Sequence, residues 1–355
     1  MNKVMKKVFC ILLALMALGA CALAETTNAN DEAVLNIFSW EGYIDYSTVI
    51  KPFEDETGIK VNYATFSSNE EMFEKLSAVN GGDYDIVLAS DYMLSAAREA
   101  GLMQKLDKSM IPNYANLDPV FLSQFFDPDN EYVVPYIAGS PLIVYDPSAV
   151  DIEITGLESL WDPSLADSLG LIDDARVTLG MVLLSMGESM NTTDEAVLAK
   201  AAEKLDALKA NIHVLEYENL HNYLISGDIS VAYTFTPFVR MALDANPDLA
   251  IAFPEGTMGL GVDGCFIPVN APHAKNANQF LDFLLRPEIG AVITEWQNYC
   301  SVNVPARELL GDWYAQNPVF SGIIEHMDDT EYIVYSTPED EQNFQDIWTS
   351  FKLSL

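Results

Sequence analysis

Two spacings of apolar residues alternate along the first part of the chain. Val34-Leu35-Asn36-Ile37-Phe38 is a compact apolar run of strand length, and residues 59–66 form another, rich in β-branched and aromatic side chains; both predict buried strands. Residues 68–79 have helical spacing instead. Met72, Phe73, Leu76 and Val79 share one face, and Ser68 with Glu71 three positions on forms a capping box. Tyr84-Asp85-Ile86-Val87-Leu88 predicts a third strand, running out at Ala89-Ser90. Such alternation predicts a mainly parallel sheet with helices on both faces. A second block repeats the pattern. Strands are predicted over 132–137 and 142–145, separated by Gly139-Ser140-Pro141, and over 230–235 and 249–253. Residues 195–208 predict an amphipathic helix with Val197, Ala201, Leu205 and Leu208 on one stripe. Helices over 275–285 and 288–297 are interrupted by Arg286-Pro287. Two α/β blocks joined by extended segments predict a hinged pair of lobes.

The N-terminus follows a different logic. Lys3, Lys6 and Lys7 precede an apolar stretch, residues 8–18, too short to remain as a membrane-spanning helix. It ends in Leu18-Gly19-Ala20-Cys21, which resembles the lipobox of bacterial lipoproteins. That resemblance implies cleavage before Cys21 and a lipid on its sulfur, with 1–20 as leader and 21–32 as tether. Ordinary cleavage after Ala22-Leu23-Ala24 is the alternative. Either route exports the chain, to the periplasm or the outer face of the cell membrane.

Composition narrows the function. The formal charge of −35 becomes −38 once the three leader lysines are removed, so phosphate backbones are repelled and nucleic acid is not an expected partner. Cys265 and Cys300 are the cysteines left in the mature body; they are either a single bridge or two free thiols. No Gly-x-Ser-x-Gly elbow, His-Glu-x-x-His or Cys-x-x-Cys pattern is present, and His213, His221, His273 and His326 are scattered. Neither a metal nor a cofactor is therefore expected. Gly259-Leu260-Gly261-Val262-Asp263-Gly264 matches a dinucleotide fingerprint, but it precedes the extended Cys265-Phe266-Ile267-Pro268 and opens no helix on which a phosphate could sit.

From Ile37-Phe38-Ser39-Trp40-Glu41-Gly42-Tyr43-Ile44-Asp45 onward the chain resembles the spermidine/putrescine-binding proteins of ABC importers. Ordered matches continue through Phe53-Glu54-Asp55-Glu56-Thr57-Gly58, Ser90-Asp91-Tyr92, Val134-Pro135-Tyr136, Asp173-Asp174-Ala175-Arg176 and Phe280-Leu281-Asp282-Phe283-Leu284-Leu285-Arg286-Pro287-Glu288. They span residues 34–310 and fade in the C-terminal tail. The resemblance implies a two-lobed periplasmic-binding-protein fold, with lobe one at 33–138 plus 262–307 and lobe two at 139–261 plus 308–355. It implies a monomer that performs no reaction, captures a small cationic solute between its lobes and delivers it to permease subunits. Carried over residue by residue, it places an aromatic box at Trp40, Tyr43, Tyr92, Tyr233 and Tyr299, a hydroxyl at Ser90, and ammonium-holding carboxylates at Asp174 and Asp263. Glu41 adjoins the box. An alkyl amine requires such a set, because aromatic faces attract its charge and an unpaired ammonium in a closed cleft is very costly.

Each residue also has an ordinary reading. Trp40 follows a buried strand, Asp174 can cap a turn beside Arg176, and Asp263 sits in a glycine-rich stretch. Gly42 and Val177 stand where acidic residues often occur in spermidine binders, and Gly261 where a tryptophan walls the pocket; these departures favour a diamine such as putrescine. The competing readings are a receptor for another amine, a receptor for an organic anion held by Arg176, and a secreted carbohydrate-active enzyme using paired acids.

Overall fold

A computed structural model describes residues 33–254 and 256–355. The leader, the tether and Cys21 lie outside the described residues.

Two sheets flanked by helices make up the fold. The first contains β1 (Val34–Trp40), β2 (Lys60–Phe66), β3 (Ile86–Ser90), β4 (Val133–Gly139), β10 (Met258–Phe266) and β11 (Cys300–Ser301), in the order β11-β4-β10-β3-β1-β2, with β12 (Thr330–Tyr332) pairing the start of β10. The second has the order β7-β6-β8-β5-β9, built from β5 (Pro141–Tyr145), β6 (Leu169–Leu171), β7 (Ile212–Leu215), β8 (Val231–Phe235) and β9 (Ala250–Ala252).

Both sheets are mixed rather than mainly parallel. β1 lies parallel to β2 and β3, as strand–helix alternation requires, but β10 is antiparallel to β3 and β4, and β5 to β8 and β9. The reason is the path of the chain. It leaves the first sheet on β4, crosses in one residue, Ser140, and continues as β5; the return through β9 and β10 must run the other way. The expected three-residue break at 139–141 is thus a one-residue crossing. The Ser140 N–H donates to Thr236 Oγ1 (2.9 Å), which donates back to the Ser140 carbonyl (2.8 Å), while the Ser140 hydroxyl donates to the Gly259 carbonyl.

Local chemistry explains where the helices start and stop. In α2 (Asn69–Ala78), which follows α1 (Lys51–Thr57), Ser68 Oγ accepts the Glu71 N–H at 3.1 Å. The reciprocal half of the box is displaced: Glu71 accepts from the Ser67 N–H and hydroxyl. The buried face is Asn69, Met72 and Leu76; Val79 is exposed because the chain turns away at Asn80 (φ 48°) and Gly81 (φ 76°). Downstream lie α3 (Asp91–Glu99), α4 (Ala175–Ser185), α5 (Glu195–Ala207), α6 (Leu220–Ser226) and α7 (Thr236–Ala245). In α5 the stripe is Leu198, Ala201 and Leu205, with Val197 only half-buried.

Cys265 and Cys300 are both buried and free. They sit on opposite sides of β4, opposite Val134 and Ala138. Strand spacing puts them roughly 10 Å apart across the sheet and roughly 13 Å along it. That is well beyond the ~7 Å Cα separation a disulfide tolerates. The glycine run at 259–264 is the interior of β10, which continues as strand to Phe266 and opens no helix. Among the described residues no helix is long and apolar enough to cross a membrane.

Candidate functional site

A cleft of about 1140 Å³ opens between the two sheets. Its residues come largely from the C-terminal ends of parallel strands and the turns that follow, where open α/β sheets place their ligands. β1 ends at Trp40 and β3 at Ser90; β6 leads to Asp174; β8 ends at Phe235.

On the first-sheet wall, Asp263 is half-buried beside Ser90, its register partner. Tyr43 donates its hydroxyl to Asp263 Oδ2 at 2.8 Å. Tyr43 is held in turn: its carbonyl accepts from the Tyr136 hydroxyl at 2.7 Å and from Gln297 Nε2 at 2.7 Å. Tyr136 falls at a β-bulge, where β4 carries an extra residue opposite Asp263 and Gly264, a device that re-aims side chains near sites. Withdrawal from bulk water pushes the Asp263 carboxyl above its ordinary value, opposed by the Tyr43 and Ser90 hydrogen bonds.

Immediately behind is Asp91, 3% exposed. Its Oδ1 accepts the Tyr92 N–H (2.7 Å) and its Oδ2 the Val262 N–H (3.0 Å). Burial, with a smaller push from the charge of Asp263, raises its carboxyl to about 8 against the two backbone hydrogen bonds.

The aromatic members are packed differently from one another. Trp40 lies against Phe66 (ring centroids 4.7 Å apart) and near Tyr43 (6.2 Å), and its buried indole N–H has no hydrogen-bond partner. Tyr299 crosses the back of Gly139. A Cβ there would come within 2.5 Å of its ring, so glycine is needed for the tyrosine to reach the cleft. The Tyr92 hydroxyl accepts from Asn69 Nδ2 (2.9 Å) and donates to Glu70 Oε1 (3.3 Å). The Tyr92 ring lies 11° from parallel to Tyr335, with centroids 6.4 Å apart. Glu41 is exposed at the cleft.

Tyr233 requires a correction. It is 2% exposed, paired with Ile143 and Leu171 in the middle of the second sheet, and does not line the cleft. Phe235, two residues on along the same face of β8, does. The face was right and the depth along the strand was not.

The second-sheet wall is satisfied from within. Asp174 caps α4, accepting the Val177 N–H at 2.8 Å. Desolvation raises its carboxyl despite the nearby Arg176. Arg176 donates to Asn191 Oδ1 (3.0 Å) and the Val334 carbonyl (3.3 Å), pairs with Glu341 (3.5 Å) and lies 4.0 Å over the Phe344 ring. Glu341 and Phe344 belong to α13 (Pro338–Lys352), the last of the helices that follow β10: α8 (Ala274–Leu284), α9 (Pro287–Gln297), α10 (Val304–Leu310), α11 (Asp312–Ala315) and α12 (Pro318–Glu325).

Sequence reasoning missed Asp91, Phe235, and the tail residues Tyr335 and Glu341. Asp91 stood inside the matched Ser90-Asp91-Tyr92 triplet, but nothing in the spacing turned its side chain toward β10. Tyr335 and Glu341 lie in the tail, where no ordered match guides the eye.

The charge balance of the lining is one-sided: seven carboxylate side chains face one basic group, Arg176. Among the described residues no cluster of three or more His, Cys, Asp or Glu could hold a metal ion. The arrangement suits a cation with apolar stretches.

Comparison with known proteins agrees on the kind of molecule. Residues 48–321 match the model of the family described as bacterial extracellular solute-binding protein. A spermidine/putrescine-binding periplasmic protein of Salmonella typhimurium is 36% identical over 298 residues, covering 83% of this chain and 85% of that one. A putrescine-binding periplasmic protein of Escherichia coli is 32% identical, with 86% and 87% covered. Among solved structures, the spermidine/putrescine ABC transporter substrate-binding protein of Streptococcus pneumoniae superimposes with a TM-score of 0.80 at 32% identity, covering 90% of this chain and 98% of that chain. A lipoprotein of Treponema pallidum gives 0.78 at 25% identity, covering 90% and 99%. The chain therefore belongs to the bacterial extracellular solute-binding proteins, with the α/β fold of the periplasmic binding proteins, and is a non-enzymatic component of ABC transport that works outside the cytoplasm.

Proposed function

We propose that this protein captures a polyamine-type cation, with Asp263 as the principal receiver of its ammonium group, and hands it to permease subunits of an ABC importer. The observation that carries the reading is Asp263 itself: a desolvated carboxylate at the cleft floor with tyrosyl and seryl donors but no basic side chain among the groups that perturb it. A carboxylate so placed awaits a cation, because an unpaired buried charge is costly. Trp40, Tyr43, Tyr92 and Tyr299 supply aromatic faces, each contact contributing ~0.5 to 2 kcal/mol to a bound ammonium. Asp174 and Glu41 are secondary acceptors. A diamine fits better than a longer polyamine, since Gly42 and Val177 contribute no carboxylate. At Gly261 the nearest atom to an added Cβ is the Gly139 carbonyl oxygen at 3.8 Å, so this stretch of wall is missing.

An organic anion is a poorer fit, because Arg176 is already engaged by Glu341, Asn191 and Val334. Paired-acid hydrolysis is poorer still, because both Asp91 oxygens are committed to backbone N–H groups. The lobes would divide as 33–138 plus 262–307 and 139–261 plus 308–355, hinging at Ser140 and closing as a monomer on the ligand. A lipid on Cys21 would hold the receptor at the membrane; mass spectrometry of the exported protein tests this.

The test of capture is calorimetry. The purified protein is unfolded and refolded to strip carried ligand, then titrated with putrescine and spermidine. Saturable one-to-one binding, tighter for putrescine and lost in Asp263→Asn, supports the reading. An absence of heat with either amine sinks it and leaves the solute-binding fold standing.

A further inference from the structure

The carboxylate behind the site has no assigned role, yet its placement is specific. Asp91 follows Ser90, the register partner of Asp263, and binds the N–H of Val262, the residue before Asp263. It therefore fixes the stretch of β10 that presents Asp263. It also buries a second carboxyl near enough for the charge of Asp263 to act on it, and two like charges withdrawn from water cannot both ionise cheaply.

We propose that Asp91 is a positioning residue for Asp263 and that the two carboxyls hold one proton between them in the empty receptor, released when an ammonium docks on Asp263. This rests on the cation-capture reading. In the step, the O–H bond of the protonated carboxyl breaks and its proton passes to solvent buffer, so that both carboxylates are ionised, Asp263 against the ammonium and Asp91 behind it on the Val262 and Tyr92 N–H groups. No redox partner is involved.

The surroundings leave no other group to balance the charge. Asp263 is faced by Tyr43 before α1, Tyr136 on β4, Cys265 on β10, Tyr299 beside β11 and Tyr217 from the second sheet's side. Asp91 is faced by Tyr92 on α3 and Tyr332 on β12. Beyond them, Glu70 on α2 and Asp174 before α4 add negative charge around Tyr92, and Arg176, the basic group that acts on Tyr92, is already paired with Glu341. Burial pushes the phenols of Tyr43, Tyr92 and Tyr136 and the Cys265 thiol upward, so none of these is charged near neutrality. The position of the Asp91 carboxyl, at about 8, agrees with a proton retained at pH 7.

Two measurements on the purified protein decide the matter. In the first, aspartate side-chain carboxyls labelled with ¹³C are titrated by NMR without ligand. One is expected to titrate near pH 8; in Asp91→Asn that transition should be absent, and the Asp263 carboxyl left behind should titrate at least about one unit lower than in wild type. If Asp91→Asn folds poorly, Asp91→Thr keeps a short oxygen acceptor at the helix start and serves instead. In the second, putrescine is titrated at pH 7 in phosphate and in Tris. The heats should differ by about one released proton per ligand, and the affinity should rise about tenfold per pH unit between pH 6 and 7. Aspartates that all titrate below about pH 5, or binding heats independent of buffer, overturn the proposal while leaving cation capture intact. A carboxyl near pH 8 with no putrescine heat does the reverse: it supports the shared proton and sinks the capture reading.

Discussion

On the first-sheet wall of the cleft, Asp263 and Asp91 are withdrawn from water with hydrogen-bond donors but no cation. On the second-sheet wall, Asp174 spends its carboxylate on a helix cap, and Arg176 is fastened to the C-terminal helix through Glu341 and Phe344. Both walls contain desolvated acids, so composition does not separate them. What separates them is whether the chain supplies the compensating partner. A wall that satisfies itself stabilises the fold; a wall left incomplete is where a ligand's charge is worth most, because its alternative is an unpaired carboxylate.

That contrast can be broken by experiment. The largest effect is expected at Asp263→Asn, which removes the proposed receiving charge and keeps the shape. Losing one partner of a desolvated charge pair costs about 2–5 kcal/mol, or roughly 30-fold or more in Kd. Calorimetry beside Asp174→Asn checks it, and equal losses at the two positions would erase the distinction between the walls.

A smaller effect belongs to Trp40→Leu, which removes an aromatic face without touching charge. It should weaken amine binding by about 0.5–2 kcal/mol, with the empty protein's proton titration unchanged. Competition with a neutral diol of the same length separates the cation–π share from simple burial.

Asp174→Ala should show mainly in the melting curve. Loss of the α4 cap costs about 1 kcal/mol of stability, whereas Asp174→Asn retains a capping oxygen and should restore most of it. Affinity should fall only a few-fold in either variant.

The subtlest sign is in pH. The folded-state carboxyls of Asp91 and Asp263 lie above their unfolded value, so their contribution to stability is fully present below about pH 4 and is lost as pH rises through the folded pKa, about 8 for Asp91. Thermal melts of wild type and Asp91→Asn should therefore differ most in favour of wild type at pH 5, and the gap should shrink towards pH 8. A gap that widens with pH would mean Asp91 is ionised throughout and ion-paired by a group yet to be found.

Much of this molecule was legible beforehand, and the reasons differ by region. β1, β2 and α2 follow from local spacing, because a strand buried on both faces and a helix buried on one face impose periods that the sequence must obey. Trp40, Ser90 and Asp174 could be named because they stand at strand ends or turns inside ordered matches, and Asp263, interior to β10, because the resemblance carries it over; all four line the cleft. Tyr233 shows the limit of such reasoning. Period two fixes which face a side chain takes, but how far along the strand the covering sheet extends depends on the partners Ile143 and Leu171, which are distant in sequence. The mixed character of the sheets has the same origin. Ser140 looks like an ordinary break between two strands, and only the return of β9 and β10 decides that the central pairs run antiparallel.

The sequence by itself determined the class of this protein: an exported acidic chain of alternating strands and helices, without nucleophile or metal motifs, carrying aromatic residues and carboxylates at strand ends. Local propensity and burial period are properties of neighbouring residues, and they survive in one dimension. The tertiary structure decided which acids remain without a partner. Whether Asp263 is answered by a lysine, a helix or nothing, and whether Asp91 turns outward or back onto Val262, depends on elements about 170 residues apart meeting side by side within one sheet. Desolvation and charge pairing are set by that meeting and not by spacing along the chain.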